Sequence, residues 1–456
     1  MGFFGFSIVY ALRVTVSIGV PAMINSTYSS ESDPNGTGEY CQASDANSSS
    51  CNEDTGEYEW DSSTQELILA GFFYGYLFTQ LPGGWMADKF GGKYLFAFGV
   101  LCTCLCSLAF PFLARVGVAA VFASRVISGL GEGMTFAAMY SMFAMWIPSK
   151  ERSRLPVYTF SGSCLGNILG QAVSGSLANS DILGGWPAPF FLFGTLGLIW
   201  FCVWLCLAFD SPAEHPRIST EERKYIESGI SVKPRSKSKE VPWGKILTSM
   251  PVWAIVVAHL TACWCYFTLL TNLPIYMNNV LRLDLTTTGI FSAVPYAFQW
   301  LSMLLIGIPA DRLINGGALP RTTVRKLLVV TGHLGFGITN ALVGVSGCNS
   351  ALSVVFLSLG LLFAGVTFGG YLTNTLDLAP AYSGSIGGLV QTAGPVSGIL
   401  GPYAVGVLTV DQNDLLGWKK VFYIGFGITA FGALFFALFS SGEEQPWANE
   451  DECDED

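Results

Sequence analysis

Long apolar stretches recur along the whole chain, each separated from the next by a more polar segment. Each is close to the length of about 20 residues that an α-helix needs to cross the hydrocarbon core of a bilayer. We count twelve, at 2–24, 65–86, 94–114, 119–145, 157–178, 187–209, 252–277, 287–309, 327–346, 351–374, 384–408 and 421–439. The pattern predicts an all-α polytopic membrane protein with 12 transmembrane helices, here called spans 1 to 12.

The composition strengthens this prediction. Of the 456 residues, 51% are hydrophobic and only 12% are charged, which is too apolar for a water-facing globular surface. The net charge of -10 does not imply a basic partner, because the acidic residues concentrate in the solvated segments 25–61 and 443–456. We therefore expect a lipid bilayer around the protein and no nucleic-acid partner.

A short motif occurs twice, as Gly-Trp-Met-Ala-Asp-Lys at 84–89 and Gly-Ile-Pro-Ala-Asp-Arg at 307–312. Each copy ends the second span of six, so the chain is predicted to contain two pseudo-symmetric six-helix halves with a site between them. The predicted parts are an N-terminal half 1–209, a linker 210–251, a C-terminal half 252–439 and an acidic tail 440–456.

The repeated motif is a candidate gate. Glycine permits close helix approach, and an aspartate beside a basic residue at a helix end can form a latch in one conformation only. The candidate gate residues are Gly84, Asp88, Lys89, Asp311 and Arg312. The alternative is that these residues only turn and orient the chain.

The distribution of Lys and Arg residues predicts the orientation of the chain in the membrane. Seventeen Lys and Arg residues lie in the loops on the side of the motif and four in the opposite loops, which places the first set and both termini in the cytoplasm. The opposite loop 25–64 carries three glycosylation sequons, at Asn25, Asn35 and Asn47. Cys41 and Cys51 share that oxidising loop and are a candidate disulfide.

Charged residues inside the predicted spans are rare and costly, so each is a functional candidate. Arg13 and Glu132 lie near the middle of spans 1 and 4, at matching depth, and Arg125 lies two helical turns before Glu132. Two arginines and one protonatable carboxylate suit an anion carried with a proton. The alternatives are a permanent structural ion pair for Arg13 and Glu132, and an interfacial position for Arg125. His259 and His333 are weaker candidates, because a lone histidine is more often a hydrogen-bonded core residue.

Five stretches carry a resemblance to a known family. Together with the spacing of the first motif copy, they resemble the anion and cation symporter branch of the major facilitator superfamily. They lie at 72–93, 125–136, 148–155, 210–227 and 253–259. Members of this branch carry acidic sugars, glutamate or phosphate, and the acidic-sugar exporters are the most similar. The resemblance implies two halves that rock about a central site.

The resemblance also implies roles for particular residues. Arg13 and Arg125 become candidates for the anion site, and Glu132 becomes the proton-coupling carboxylate. The further substrate-binding candidates are Tyr76, Tyr266 and Gln391.

Several positions depart from the pattern of the branch. Glutamate carriers have a histidine and an arginine where this chain has Leu69 and Ala262, and acidic-sugar carriers have a second glutamate where it has Ser128. The coupling scheme is therefore better supported than any one substrate.

The sequence predicts a monomeric secondary active transporter that moves an organic anion, such as sialic acid, glucuronate or an acidic amino acid, together with protons. A sodium-coupled phosphate or organic anion carrier of the same fold is one alternative, and an anion channel or receptor is another. No enzyme activity, metal or cofactor is expected. The expected location is a lysosomal, endosomal or secretory vesicle membrane, with the plasma membrane as the alternative.

Overall fold

The computed structural model describes residues 1–24, 57–60, 62–180, 182–230, 241–283, 285–409 and 415–448. Within these ranges the regular structure is helical, and the single β-bridge joins Ile24 to Tyr58. The sequons at Asn25, Asn35 and Asn47 and the cysteines Cys41 and Cys51 lie outside the described residues and stay predictions.

All twelve predicted spans are helical, which confirms the predicted fold class. The first six spans consist of Gly2–Met23, Ser62–Phe90, Lys93–Val116, Val118–Glu132 with Thr135–Trp146, Leu155–Phe160 with Gly162–Ala178, and Ala188–Leu207. The last six consist of Met250–Ile275, Leu285–Asn315, Arg321–Val343, Ser350–Thr367 with Thr373–Leu378, Ser383–Leu408 and Leu415–Phe439. Two short helices, Thr220–Gly229 and Trp243–Thr248, lie between the two sets.

Four spans are less regular than the apolar pattern indicates. Spans 4 and 5 are each broken into two helices, and spans 7 and 10 contain the π-helical turns Tyr276–Val280 and Phe368–Leu372. Apolarity gives the length of a membrane helix but not the hydrogen-bond register of its backbone. These interruptions were therefore not predicted.

Eight described helical segments are long and apolar enough to cross a bilayer. The other four predicted spans are 2, 4, 5 and 11, which are broken or rich in small and polar residues. Span 2 packs against spans 4 and 11, and span 5 packs against span 8. Spans 2, 5 and 11 therefore supply helix contacts across the seam between the halves.

The two ends of the bundle differ. The end that holds Asp88 and Asp311, here called the motif end, also holds the first part of the acidic tail. The Gln445 amide donates to the Leu378 carbonyl at 2.9 Å, and Asn374 Nδ2 donates to the Ser441 carbonyl at 2.9 Å. The tail is thus fastened to the motif end of span 10.

Candidate functional site

The centre of the N-terminal half contains a buried ion pair. Arg13 Nη2 donates to Glu132 Oε1, and the two side chains are 3% and 0% exposed. The pairing joins span 1 to the end of the first helix of span 4, as their matched depth predicted. Arg13 Nε, Arg13 Nη1 and Glu132 Oε2 have no hydrogen-bond partner among the described residues. Both members therefore retain capacity to bind another group.

Aromatic rings surround the Arg13 guanidinium. Its central carbon lies 4.5 Å from the ring centres of Tyr10 and Phe72, 5.1 Å from that of Tyr76 and 5.9 Å from that of Phe267. Cation–π contacts of this kind stabilise a desolvated cation without neutralising it. The charge of Arg13 is thus held in place by groups that do not compete with an anion for its N–H donors.

Glycines bring spans 2 and 4 close enough to build this arrangement. A Cβ added at Gly75 would collide with the Val126 carbonyl oxygen, and one added at Gly129 would collide with the Phe72 carbonyl oxygen. Only glycine fits at such a crossing. The close approach brings Phe72 and Tyr76 of span 2 against the segment of span 4 that ends at Glu132.

Arg125 lies apart from the pair. Its side chain is buried, and its guanidinium carbon is 5.1 Å from the centre of the Phe72 ring, which Arg13 also contacts. No carboxylate among the described residues lies within ion-pair distance of it. Arg125 therefore adds positive charge beside the pair without forming a second one.

A cavity of about 50 Å³ lies between the two halves. Three of the predicted substrate-binding residues, Tyr76, Tyr266 and Gln391, line it, whereas Arg13 and Arg125 do not. Arg13 lies behind the rings of Tyr10 and Tyr76, which form the wall between the cavity and the ion pair. The predicted residues thus surround two adjoining spaces and not one.

The structure adds residues that the sequence reasoning undervalued or missed. His259 and His333, which were only weak candidates, line the cavity, as does Tyr371, which was not predicted. Tyr371 lies in the π-helical turn of span 10, and its hydroxyl is 3.4 Å from His259 Nδ1. The available signal was the rarity of histidine within membrane spans.

Asp88 of the first motif copy binds across the seam. Its carboxylate accepts from the Gly384 amide at 3.2 Å, the Ser385 amide at 2.6 Å and the Ser385 hydroxyl at 2.6 Å. These groups begin span 11, where free amides and the helix dipole favour a negative charge. Gly84 permits the approach, since an added Cβ would lie 2.5 Å from the Gly384 carbonyl oxygen.

Asp311 of the second copy makes the equivalent contact in the other direction. Its Oδ1 accepts from the Ser153 amide of the N-terminal half at 3.2 Å. The basic neighbours do not pair with the aspartates. Lys89 Nζ lies 4.8 Å from the Trp85 ring centre, and Arg312 lines a cleft at the motif end. Both aspartates thus accept hydrogen bonds from backbone amides of the opposite half.

The chain matches a known protein family over most of its length. The sequence profile described as Major Facilitator Superfamily matches residues 2–402. The chain belongs to the Major Facilitator Superfamily. It is 40% identical to sialin of Homo sapiens over 452 residues, covering 99% of this chain and 90% of sialin. It is 36% identical to vesicular glutamate transporter 3 of Danio rerio over 399 residues, covering 86% of this chain and 66% of that protein.

The fold agrees with a solved member of the superfamily. The proton:xylose symporter XylE superposes with a TM-score of 0.67 at 12% identity, covering 97% of both chains. The protein is therefore a multi-pass membrane transporter of the type that includes sialin and the vesicular glutamate transporters. The superfamily consists of transporters and is not a family of catalytic enzymes.

Proposed function

We propose that this protein is a proton-coupled symporter of organic anions that carry one carboxylate and several uncharged polar groups, with acidic sugars as the substrate class. The observation that carries the proposal is the buried Arg13–Glu132 pair, with unused donors and an unused acceptor, directly behind the wall of the cavity between the halves.

Charge balance at this pair couples the anion to the proton. When the site is empty, Arg13 and Glu132 neutralise each other, and Arg125 keeps the same charge throughout. An anion alone or a proton alone would change the net charge of the buried site by one, which is costly, whereas binding of both leaves that net charge unchanged. With both bound, protonated Glu132 releases Arg13 to the carboxylate and the balance returns. Only the empty and fully loaded sites then favour movement of the halves.

The cavity favours a substrate with a single charge. Among the described lining residues there is no Lys, Arg, Asp or Glu, so a second charged group on the substrate would have no partner. Ala262, where glutamate carriers have arginine, is one of the lining residues. This supports an acidic sugar over an acidic amino acid.

The conformation described is closed at the motif end, where both motif aspartates bind the opposite half. A cavity of about 50 Å³ holds a few water molecules, whereas pockets that bind small organic ligands are roughly 300 to 1,000 Å³. Transport therefore requires the halves to separate on one side of the site at a time.

We assign the motif end to the cytoplasm, because the basic loops lie there. At the other end, Cys348 is disulfide-bonded, which fits an oxidising compartment. The resemblance to sialin and to vesicular carriers supports an intracellular vesicle membrane. The proton gradient of an acidic organelle would then drive the anion into the cytoplasm.

The test is uptake into proteoliposomes of sialate, glucuronate, glutamate and phosphate, with and without imposed proton and sodium gradients. For Glu132→Gln we expect loss of accumulation driven by the pH gradient but retention of anion exchange, because the amide cannot gain or lose a proton. Glu227→Gln removes a glutamate that pairs with Arg223 on the exposed linker helix and serves as the control.

Three outcomes would contradict the proposal. Unchanged pH-driven accumulation in Glu132→Gln would remove the coupling role. Uptake that needs sodium would indicate a sodium-coupled carrier. Accumulation that never exceeds the electrochemical equilibrium of the anion would indicate a channel.

A further inference from the structure

The C-terminal half forms most of the cavity wall, and its polar groups there are uncharged side chains and histidines. Of the lining residues, Tyr10, Tyr76 and Phe136 come from the N-terminal half and all the others from the C-terminal half. His259, Tyr371 and Gln391, here called the polar wall, belong to spans 7, 10 and 11. They face the rings that separate the cavity from Arg13.

A local distortion of the backbone creates this wall. The π-helical turn Phe368–Leu372 directs Phe368, Tyr371 and Leu372 into the cavity. The turn is held at Gly369, whose carbonyl accepts from Arg325 Nη1 at 2.7 Å and from the Thr373 hydroxyl at 2.8 Å. Such turns cost helix regularity and occur frequently at functional sites. Tyr371 is thus presented to the cavity by a fixed irregularity.

The hydrogen-bonding capacity of the polar wall is only weakly used within the protein. His259 Nδ1 and the Tyr371 hydroxyl lie 3.4 Å apart, and His259 Nε2 lies 3.4 Å from Cys263 Sγ. Gln391 is 4% exposed, and its side chain has no hydrogen-bond partner among the described residues. Buried polar groups are normally well bonded, so these groups have capacity for a ligand.

His333 has a different position. Its Nδ1 lies 3.1 Å from the Val329 carbonyl oxygen and its Nε2 lies 3.0 Å from the Ala258 carbonyl oxygen. Both ring nitrogens therefore face backbone acceptors, and the ring braces span 9 against span 7. The groups with unused hydrogen-bonding capacity are those of the polar wall.

We propose that His259, Tyr371 and Gln391 form a polar subsite that binds hydroxyl or amide groups of the transported anion while Arg13 binds its carboxylate. This rests on the proposed function and adds to it the residues that select the uncharged part of the substrate. The substrate then joins the two halves, because its ends bind residues of different halves. Specificity for a polyhydroxy anion resides in the C-terminal half, and coupling resides in the N-terminal half.

The experiment compares two anions that have the same charge and ring size. Proteoliposomes take up labelled glucuronate, and cyclohexanecarboxylate, which has no hydroxyl groups, serves as a competitor. For Tyr371→Phe we expect a KM for glucuronate about tenfold higher, as for loss of a buried hydrogen bond, with the inhibition constant of cyclohexanecarboxylate within twofold of wild type. Gln391→Leu should show the same selective loss.

Tyr276→Phe is the matched control. Tyr276 is an equally buried tyrosine of the C-terminal half, but it packs on Trp418 and Phe422 away from the cavity. It should change neither constant. If Tyr371→Phe and Gln391→Leu weaken both anions equally, or neither anion, the subsite is refuted while the proposed function stands. If the wild type takes up no organic anion, the proposed function is refuted and the subsite with it.

Discussion

The two halves of this transporter each contain a buried arginine–carboxylate pair, but the pairs differ in how fully they are bonded. In the C-terminal half, Arg325 Nε donates to Asp377 Oδ2 at 2.8 Å and Arg325 Nη1 donates to the Gly369 carbonyl at 2.7 Å. In the N-terminal half, Arg13 and Glu132 share one hydrogen bond and retain unpaired donors and an unpaired acceptor among the described residues.

The two pairs also differ in their position relative to the cavity. Arg325 and Asp377 lie toward the motif end of spans 9 and 10, where they hold the π-helical turn, and neither lines the cavity. Arg13 and Glu132 lie directly behind the cavity wall. A fully bonded buried pair stabilises one structure, whereas a partly bonded pair can exchange partners with a proton and an anion. We infer that the Arg325–Asp377 pair is structural and that the Arg13–Glu132 pair is functional.

Breaking the structural pair should have the largest effect. Asp377→Ala leaves Arg325 buried without its carboxylate, which typically costs about 3 to 5 kcal/mol, so we expect a clear loss of thermal stability in detergent. The double variant Arg325→Met, Asp377→Leu should recover most of that loss. Glu132→Gln should shift the melting temperature much less. Equal shifts for Asp377→Ala and Glu132→Gln would remove the distinction between the pairs.

Changing the arginine while keeping its charge should have the next largest effect. Arg13→Lys retains the cation but loses the planar fork that binds a carboxylate through two N–H groups, so uptake should fall about tenfold, mainly through KM. Arg325→Lys should mainly lower stability and should raise KM much less than Arg13→Lys, since Arg325 reaches the cavity only through the turn that presents Tyr371. The measurement is initial uptake over a range of substrate concentrations. A KM in Arg325→Lys raised as far as in Arg13→Lys would contradict the assignment of roles.

The two motif copies extend the comparison to the gate, where we expect the smallest effects. Asp88 accepts three hydrogen bonds from span 11, and Asp311 accepts one, at 3.2 Å, from Ser153. Asp88→Asn should therefore open the motif end more than Asp311→Asn. A cysteine introduced at the buried position Ser383 should react with a thiol reagent several-fold faster in Asp88→Asn and at most about twofold faster in Asp311→Asn.

Equal labelling rates in the two gate variants would show that the copies carry equal shares of the closed state. Labelling unchanged in both would show that other contacts across the seam close the motif end. One such contact joins Arg152 Nη1 to the Leu376 carbonyl at 3.2 Å.

The first motif copy also has a contact with no equivalent among the described residues around the second copy. Gly91 has a φ of 100° and packs on the Asp210 carboxylate, which accepts from the Lys93 amide at 2.8 Å. This fastens the turn between spans 2 and 3 to the start of the linker. The first motif copy continues into Gly91-Gly-Lys93 in the sequence and the second does not. This asymmetry therefore corresponds to a contact in the structure.

The sequence by itself determined the features that depend on local composition. The apolar lengths gave the twelve spans, the repeated motif indicated two halves, and the cost of charge in lipid singled out Arg13 and Glu132. Even their meeting could be expected, because residues at equal depth in neighbouring helices can come into contact.

Only the tertiary structure decided which helix faces which, because that depends on packing between residues far apart in the chain. Residues of different spans form each of three features. These are the contacts of Asp88 and Asp311 with backbone amides, the contact of His259 with Tyr371, and the wall of rings between Arg13 and the cavity. The π-helical turn of span 10 also escapes sequence reasoning, because it changes the hydrogen-bond register without changing apolarity. These long-range choices separate the charged pair of one half from the polar wall of the other.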